Sequence, residues 1–277
     1  MRVDAHQHFW RYNQTDYGWI TREMSNLRRD FLPEDLIRVQ EPLGFDGSIA
    51  VQARQTMAET EWLLQLAERF PLIKGVVGWV DLSSPELPTQ LARFSRYPKL
   101  RGIRHVVQDE PDDNFMLRSD FQRGIGDLSR YGLTYDILIY PRHLPAACEL
   151  VRRFPDQRFV LDHIAKPSIG RGEMEPWATD IKRLASSPNI YCKLSGMVTE
   201  ADWRHCRPEV FEPYLDVVFG AFGPQRLMIG SDWPVCLLMA PYERVMAIVI
   251  DYIRHCSADE RLMILGENAQ AFYGVGK

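Results

Sequence analysis

Residues Leu227–Pro234 read LMIGSDWP. An unbroken apolar run delivers a serine, an aspartate and a tryptophan at its carboxyl end, the pattern expected of a strand buried on both faces with chemistry at its tip. The pattern recurs along the chain. Gly47–Val51 is GSIAV, and Phe159–Leu161 is FVL, followed at once by Asp162 and His163. The full set of candidate strands is Arg2–Ala5, Gly47–Val51, Leu72–Val80, Leu100–Val106, Thr134–Ile139, Arg158–Leu161, Ile190–Leu194 and Leu227–Gly230.

Segments with helical spacing stand between these runs. Trp62, Leu63, Leu66 and Phe70 recur on one face, as do Leu144, Ala147, Cys148 and Val151, and again Val245, Ile248, Val249 and Tyr252. Pro85, Pro141, Pro176, Pro208 and Pro241 fall before or at the start of helical segments, where a missing amide donor costs nothing. Strand and helix alternating eight times predict an α/β protein, a single (β/α)8 TIM barrel domain over residues 1–277. A doubly wound open sheet is the weaker alternative, because no G-x-G-x-x-G turn follows the first strand.

Composition narrows the classes of partner. Of 277 residues, 45% are hydrophobic and 25% charged, as in a soluble globular domain, and the net charge of -4 offers no basic field for nucleic acid. Cys148, Cys192, Cys206, Cys236 and Cys256 are odd in number and widely spaced, so neither a disulfide framework nor a cysteine zinc knuckle is expected. A cytoplasmic location follows as an expectation. No segment approaches the about 18 apolar residues of a membrane span. The expected partner is a small molecule, with a homo-oligomer left open.

A barrel collects its reactive groups at the carboxyl ends of its strands. His6 and His8 close the first strand, Gln52 and Arg54 the second, Trp79 and Asp81 the third, Arg104 and His105 the fourth. Tyr140 follows the fifth, Asp162, His163 and Lys166 the sixth, Lys193 and Ser195 the seventh, and Ser231, Asp232 and Trp233 the eighth. Residues two apart in a strand share a side, so His6 and His8 are expected to face one spot in the mouth; alone, the pair is equally compatible with histidines satisfied by backbone carbonyls. Asp162 reads as a cap for the loop after its strand, and Asp232 as a buried charge that needs a partner or a role. Alternation sets Arg104 opposite His105, and either is a candidate for the mouth. Phe9, Trp10, Trp19 and Trp233 on the same rim offer faces for a sugar ring.

Six motifs, DAHQHFW (4–10), GIRHVVQ (102–108), LDHIAKP (161–167), CKLSG (192–196), IGSDWP (229–234) and LGENAQAFY (265–273), carry a resemblance to the amidohydrolase superfamily, in its branch of sugar-lactone hydrolases acting on L-fuconolactone and L-rhamnonolactone. The likeness runs from Val3 to Tyr273. It implies a barrel that opens an aldonolactone to its acid, with Asp232 as general base for the attacking water. His6, His8 and His163 would either bind a divalent metal or donate hydrogen bonds to the substrate carbonyl. The fifth strand departs from metal-rich members, ending DILIYPRH with Tyr140 where they carry a ligand, so a two-metal site is not expected. One zinc could be held by His6, His8, His163 and Asp232. The favoured expectation is catalysis with no cofactor, Arg104 and Tyr140 acting as electrophiles, and Gln52, Arg54, Tyr140, Lys166 and Trp233 binding the sugar. Two alternatives stand beside it: a metal-dependent decarboxylase of the same superfamily, and a non-catalytic sugar-binding barrel.

Overall fold

The strands form because their residues can be buried on both faces. In a computed structural model, which describes residues 1–201 and 207–276, they are β1 (Val3–Gln7), β2 (Gly47–Val51), β3 (Ile73–Gly78), β4 (Leu100–His105), β5 (Thr134–Ile137), β6 (Phe159–Leu161), β7 (Ile190–Leu194) and β8 (Leu227–Ile229). Each pairs in parallel with the next, in the order β1 to β8. Parallel neighbours need a crossover, and helices supply it: α1 (Pro33–Gln40), α2 (Met57–Arg69), α3 (Leu87–Phe94), α4 (Ser119–Leu128), α5 (Leu144–Arg153), α6 (Trp177–Ala185), α7 (Glu212–Phe222) and α8 (Tyr242–Tyr252). The short helices α9 (Ala258–Leu262) and α10 (Asn268–Tyr273) follow. The expected (β/α)8 barrel is the observed fold.

Strand limits differ from expectation for a reason of pairing. Leu138 and Ile139 leave the sheet although both are buried, because the last partner β6 offers is Leu161, opposite Ile137. Beyond it the chain turns at Asp162.

The barrel closes between β1 and β8 at its carboxyl end. Gln7 bridges to Trp233, the Asp232 amide donates to the His6 carbonyl at 2.8 Å, and the His8 amide donates to the Trp233 carbonyl at 2.6 Å. The seam is therefore built from the backbone of the residues that carry the candidate chemistry. Gly230 permits the close approach: a Cβ there would lie 2.9 Å from that of His6.

Inside the barrel Val3, Ala5, Ile49, Val51, Val77, Val160 and Met228 pack together and against Ala269, Phe272, Tyr273 and Val275. Helix α10 thus closes the floor, and burying Phe272 or Tyr273 there contributes roughly 1.5–3 kcal/mol each. The chain reaches that helix past its own N-terminus, where a Cβ on Gly266 would meet the Met1 carbonyl oxygen at 2.1 Å, so only glycine fits in LGENAQAFY. A second, larger apolar layer fills the space between strands and outer helices. Cys148, Cys192, Cys236 and Cys256 are unpaired thiols; Cys206 lies outside the described residues. Among the described residues no helix is long and apolar enough to cross a membrane.

Candidate active site

Simple alternation from Val3 and Ala5, which face the barrel interior, would turn His6 outward. A β-bulge prevents this. Between Asp4 and Gln7 the first strand spends three steps where β2 spends two, from Ser48 to Ala50. The extra residue re-aims His6 into the barrel and restores the alternation for His8. The two imidazole Nε2 atoms then stand 3.3 Å apart. His8 Nδ1 donates to the Val51 carbonyl at 2.8 Å, which leaves its Nε2 a bare lone pair.

Asp232 enters from the opposite side of the seam. Its Oδ1 lies 3.2 Å from His8 Nε2, 3.8 Å from His6 Nε2 and 3.8 Å from His163 Nε2. Burial alone would raise its pKa, but the positive charge that His163, His8 and His6 carry when protonated pulls it below the ordinary carboxylate range. Its backbone is left-handed, at φ 57°, a conformation that aspartate tolerates. Asp4 secures the turn, accepting from the Ser231 amide at 2.9 Å and the Ser231 hydroxyl at 2.6 Å, with the Tyr242 hydroxyl at 3.1 Å. This buried carboxylate faces outward from β1 and orients Asp232 through its neighbour.

After β6 the chain makes a left-handed turn. His163, Ile164, Ala165 and Lys166 have φ of 55°, 49°, 62° and 50°. Each such L-residue costs roughly 1–2 kcal/mol. The turn is offset by what it buries and bonds: Ile164 and Ala165 are fully buried, the Trp177 indole donates to the Ile164 carbonyl at 2.8 Å, and the Lys166 amide closes onto His163 at 2.8 Å. His163 thereby points to Asp232, with Nδ1 2.9 Å from the Ser195 hydroxyl. Burial lowers its pKa to about 4 against the pull of Asp232 and Asp162, so the ring is uncharged at neutral pH. Gly196 leaves room for it. A Cβ there would lie 2.4 Å from His163 Nδ1, at a φ of +60°. Gly196→Ala is expected to push the imidazole aside and lower kcat/KM by about 10²-fold or more, since ångström-scale misplacement of a reacting group has that cost. Steady-state kinetics beside a circular-dichroism spectrum check it.

Below these groups lies a charged layer. Arg104 points inward, donating from Nη1 to Asp162 at 3.0 Å and from Nη2 to the Gln52 carbonyl, with Nη1 also 3.3 Å from His6 Nε2. On the other side of the ring, His6 Nδ1 lies 3.2 Å from Lys193 Nζ and 3.3 Å from Asp162 Oδ1, so a cation and a carboxylate flank it together. His105 points away and pairs with Glu110 while stacking on Phe115. Asp162 is thus no loop cap: it is the interior counter-ion of Arg104 and of Lys193, whose Nζ lies 3.0 Å away. Burial would raise its pKa, but Lys193, His6 and Arg104 hold it well below the usual range.

Other expected residues are placed less uniformly. Gln52 is fully buried beside Arg104, its side-chain oxygen without a hydrogen-bond partner among the described residues. Arg54 turns to the outer loop and pairs with Asp16 at 2.7 Å. Tyr140 is partly buried with Lys166 Nζ 5.5 Å from its ring centre. Trp233, Phe9 and Trp10 are buried and packed edge to face with Phe31 or one another, so they offer no open platform; Trp19 is exposed. Glu200, missed in the sequence, is partly buried and accepts from the Thr199 hydroxyl at 3.3 Å; burial raises its pKa, opposed by Lys166.

Can this donor set take a metal? His6 Nε2, His8 Nε2 and Asp232 Oδ1 are three buried acceptors separated by 3.3, 3.2 and 3.8 Å. A tetrahedron with zinc bonds of about 2.0–2.1 Å has edges of roughly 3.3 Å. Converging lone pairs at that spacing suit a cation. A second cluster, His6, Asp162 and His163, is compromised because Asp162 is already committed to Arg104 and Lys193.

An eight-stranded parallel barrel with histidines from β1 and β6 and an aspartate from β8 meeting at its mouth is the frame of a hydrolytic barrel enzyme. The amidohydrolase family model matches residues 3–275, and the chain belongs to that family. It is 42% identical to an L-fucono-1,5-lactonase of Burkholderia multivorans, over 99% of this chain and 96% of the relative, and 38% identical to one of Burkholderia ambifaria, over 100% and 96%. A solved amidohydrolase of Burkholderia multivorans with bound zinc superposes with a TM-score of 0.95 at 43% identity, covering all of both chains. That zinc, with the donor triangle described above, corrects the expectation that no cofactor takes part.

Proposed function

We propose that the chain is a sugar-lactone hydrolase that opens L-fucono-1,5-lactone or a close stereoisomer to the aldonic acid. The observation that carries the reading is the convergence of His6, His8 and His163 on one carboxylate oxygen of Asp232, in a chain 42% identical over its length to an L-fucono-1,5-lactonase. His6, His8 and Asp232 would hold a zinc ion, which when bound supplies Lewis acidity at the mouth.

The protein's own groups divide the remaining work. Asp232 Oδ2, which takes no hydrogen bond among the described residues, accepts the proton of the attacking water and returns it to the departing ring oxygen. Ser195 donates to His163 Nδ1, leaving an Nε2 proton to hydrogen-bond the oxyanion. Arg104 places a fixed positive charge beside His6. Lys166 and Tyr140, with Glu200 near, stand where the sugar hydroxyls would lie, and Gln52 has a free acceptor at the foot of the mouth.

Decarboxylation is less well supported, since the decarboxylases that share the barrel are only 13% and 10% identical, a likeness of fold alone. A silent sugar-binding barrel has no use for three imidazoles on one buried carboxylate. A panel of stereoisomeric 1,4- and 1,5-lactones, read by proton release, tests the proposal. Turnover fastest with the L-fucono isomer is expected; no turnover across the panel would overturn it.

A further inference from the structure

Helix α10 does more than close the barrel floor. The Tyr273 hydroxyl donates to Asp136 Oδ2 at 2.7 Å, and the same oxygen accepts from Lys193 Nζ at 2.5 Å. Lys193 Nζ lies 3.2 Å from His6 Nδ1 and 3.0 Å from Asp162 Oδ1, which is itself 3.3 Å from His6 Nδ1. The Lys193 ammonium also sits 5.6 Å from the centre of the Tyr273 ring. Groups from α10, β5, β7 and the end of β6 thus make an unbroken path from the floor to an imidazole of the site.

Stability does not explain this path. Sealing Lys193, Asp136 and Asp162 inside a barrel costs desolvation that their attraction roughly cancels, and apolar side chains would fill the volume as well. Phenylalanine would pack as tyrosine does; what it lacks is the donor. Among the described residues Asp136 Oδ1 has no hydrogen-bond partner, so its carboxylate rests on Tyr273 and Lys193.

We propose that Tyr273 is a positioning residue for the reacting centre: through Asp136 it holds Lys193, and with it Asp162, against His6 Nδ1 and so fixes the ring that faces Asp232. The inference rests on His6 serving the lactonase centre described above. Tyr273→Phe and Asp136→Asn test it beside Val275→Ala, which trims the same packing without touching the path. Equilibrium zinc affinity by competition with a chromophoric chelator, kcat, KM and the unfolding midpoint are read for each.

The first two variants are expected to weaken zinc binding by about 10-fold and lower kcat comparably, with KM nearly unchanged, as for lost outer-shell partners of a metal ligand. Val275→Ala should lower only the midpoint. If all three lose stability while zinc affinity and kcat stay within about twofold of the parent, less than any outer-shell effect, Tyr273 is a packing residue and the proposal is overturned. A parent that binds zinc but cleaves no lactone would defeat the functional reading, yet leave the affinity comparison to decide the role of Tyr273.

Discussion

Asp232→Asn is expected to lower kcat/KM for the lactone by about 10²- to 10⁴-fold, the usual worth of a positioned general base. The substitution leaves the main chain in place, and because Asp232 is also one of the three zinc donors, zinc content is measured beside the rate and the comparison is made at saturating zinc. Asparagine tolerates the left-handed backbone at this position, and the seam bonds from its amide and from His8 are made by main chain. What disappears is the capacity to take a proton: despite its burial, Asp232 lies below the ordinary carboxylate range and is ionised at neutral pH. Initial rates by proton release, with circular dichroism to verify the fold, measure it. A variant within about tenfold of its parent, below the range of general-base effects, would take the role away from Asp232.

Removal of the metal should have an effect of similar size. Protein purified without added metal is expected to carry zinc near one ion per chain, and dialysis against a strong chelator to cut turnover by about 10²-fold or more, restored by stoichiometric zinc; this corresponds to the several kcal/mol a Lewis acid supplies. The unfolding midpoint should fall with it, since an ion bound only by the native state stabilises that state. The cause is visible in the donor triangle: without a cation, His6 Nε2, His8 Nε2 and Asp232 Oδ1 face one another as acceptors at 3.2–3.8 Å. Elemental analysis and the assay on one preparation decide the matter. A zinc-free protein working at the parent rate would reverse it.

The barrel was legible in the sequence because strands covered on both faces cannot hide polar residues within them, so GSIAV, FVL and LMIG stand out. Their ends were less so, since pairing rather than propensity ends a strand, as Ile137 stops opposite Leu161. His6 and His8 were legible as a pair, but the bulge that turns His6 inward depends on register with β2, which the chain does not spell out. Asp4, Asp136 and Tyr273 escaped notice because their partners are remote: Tyr273 and Asp136 are 137 residues apart. Asp162 was misread as a loop cap for the same reason, its counter-ions lying on β4 and β7. The metal-free expectation came from the resemblance to lactonases that work without metal, with Arg104 and Tyr140 as electrophiles, and it passed over the donors that the first and eighth strands bring together.

For anyone wishing to redirect this scaffold to another substrate, the left-handed turn at 163–166 sets a boundary. Four successive residues in a rare conformation, clamped by an indole and by burial, leave no slack for insertion, deletion or randomisation, and any library that includes them will be mostly misfolded clones. Diversity is better spent on the exposed stretches 11–16, 21–26 and 111–114, which leave the packed Phe9, Trp10, Phe31 and Phe115 in place.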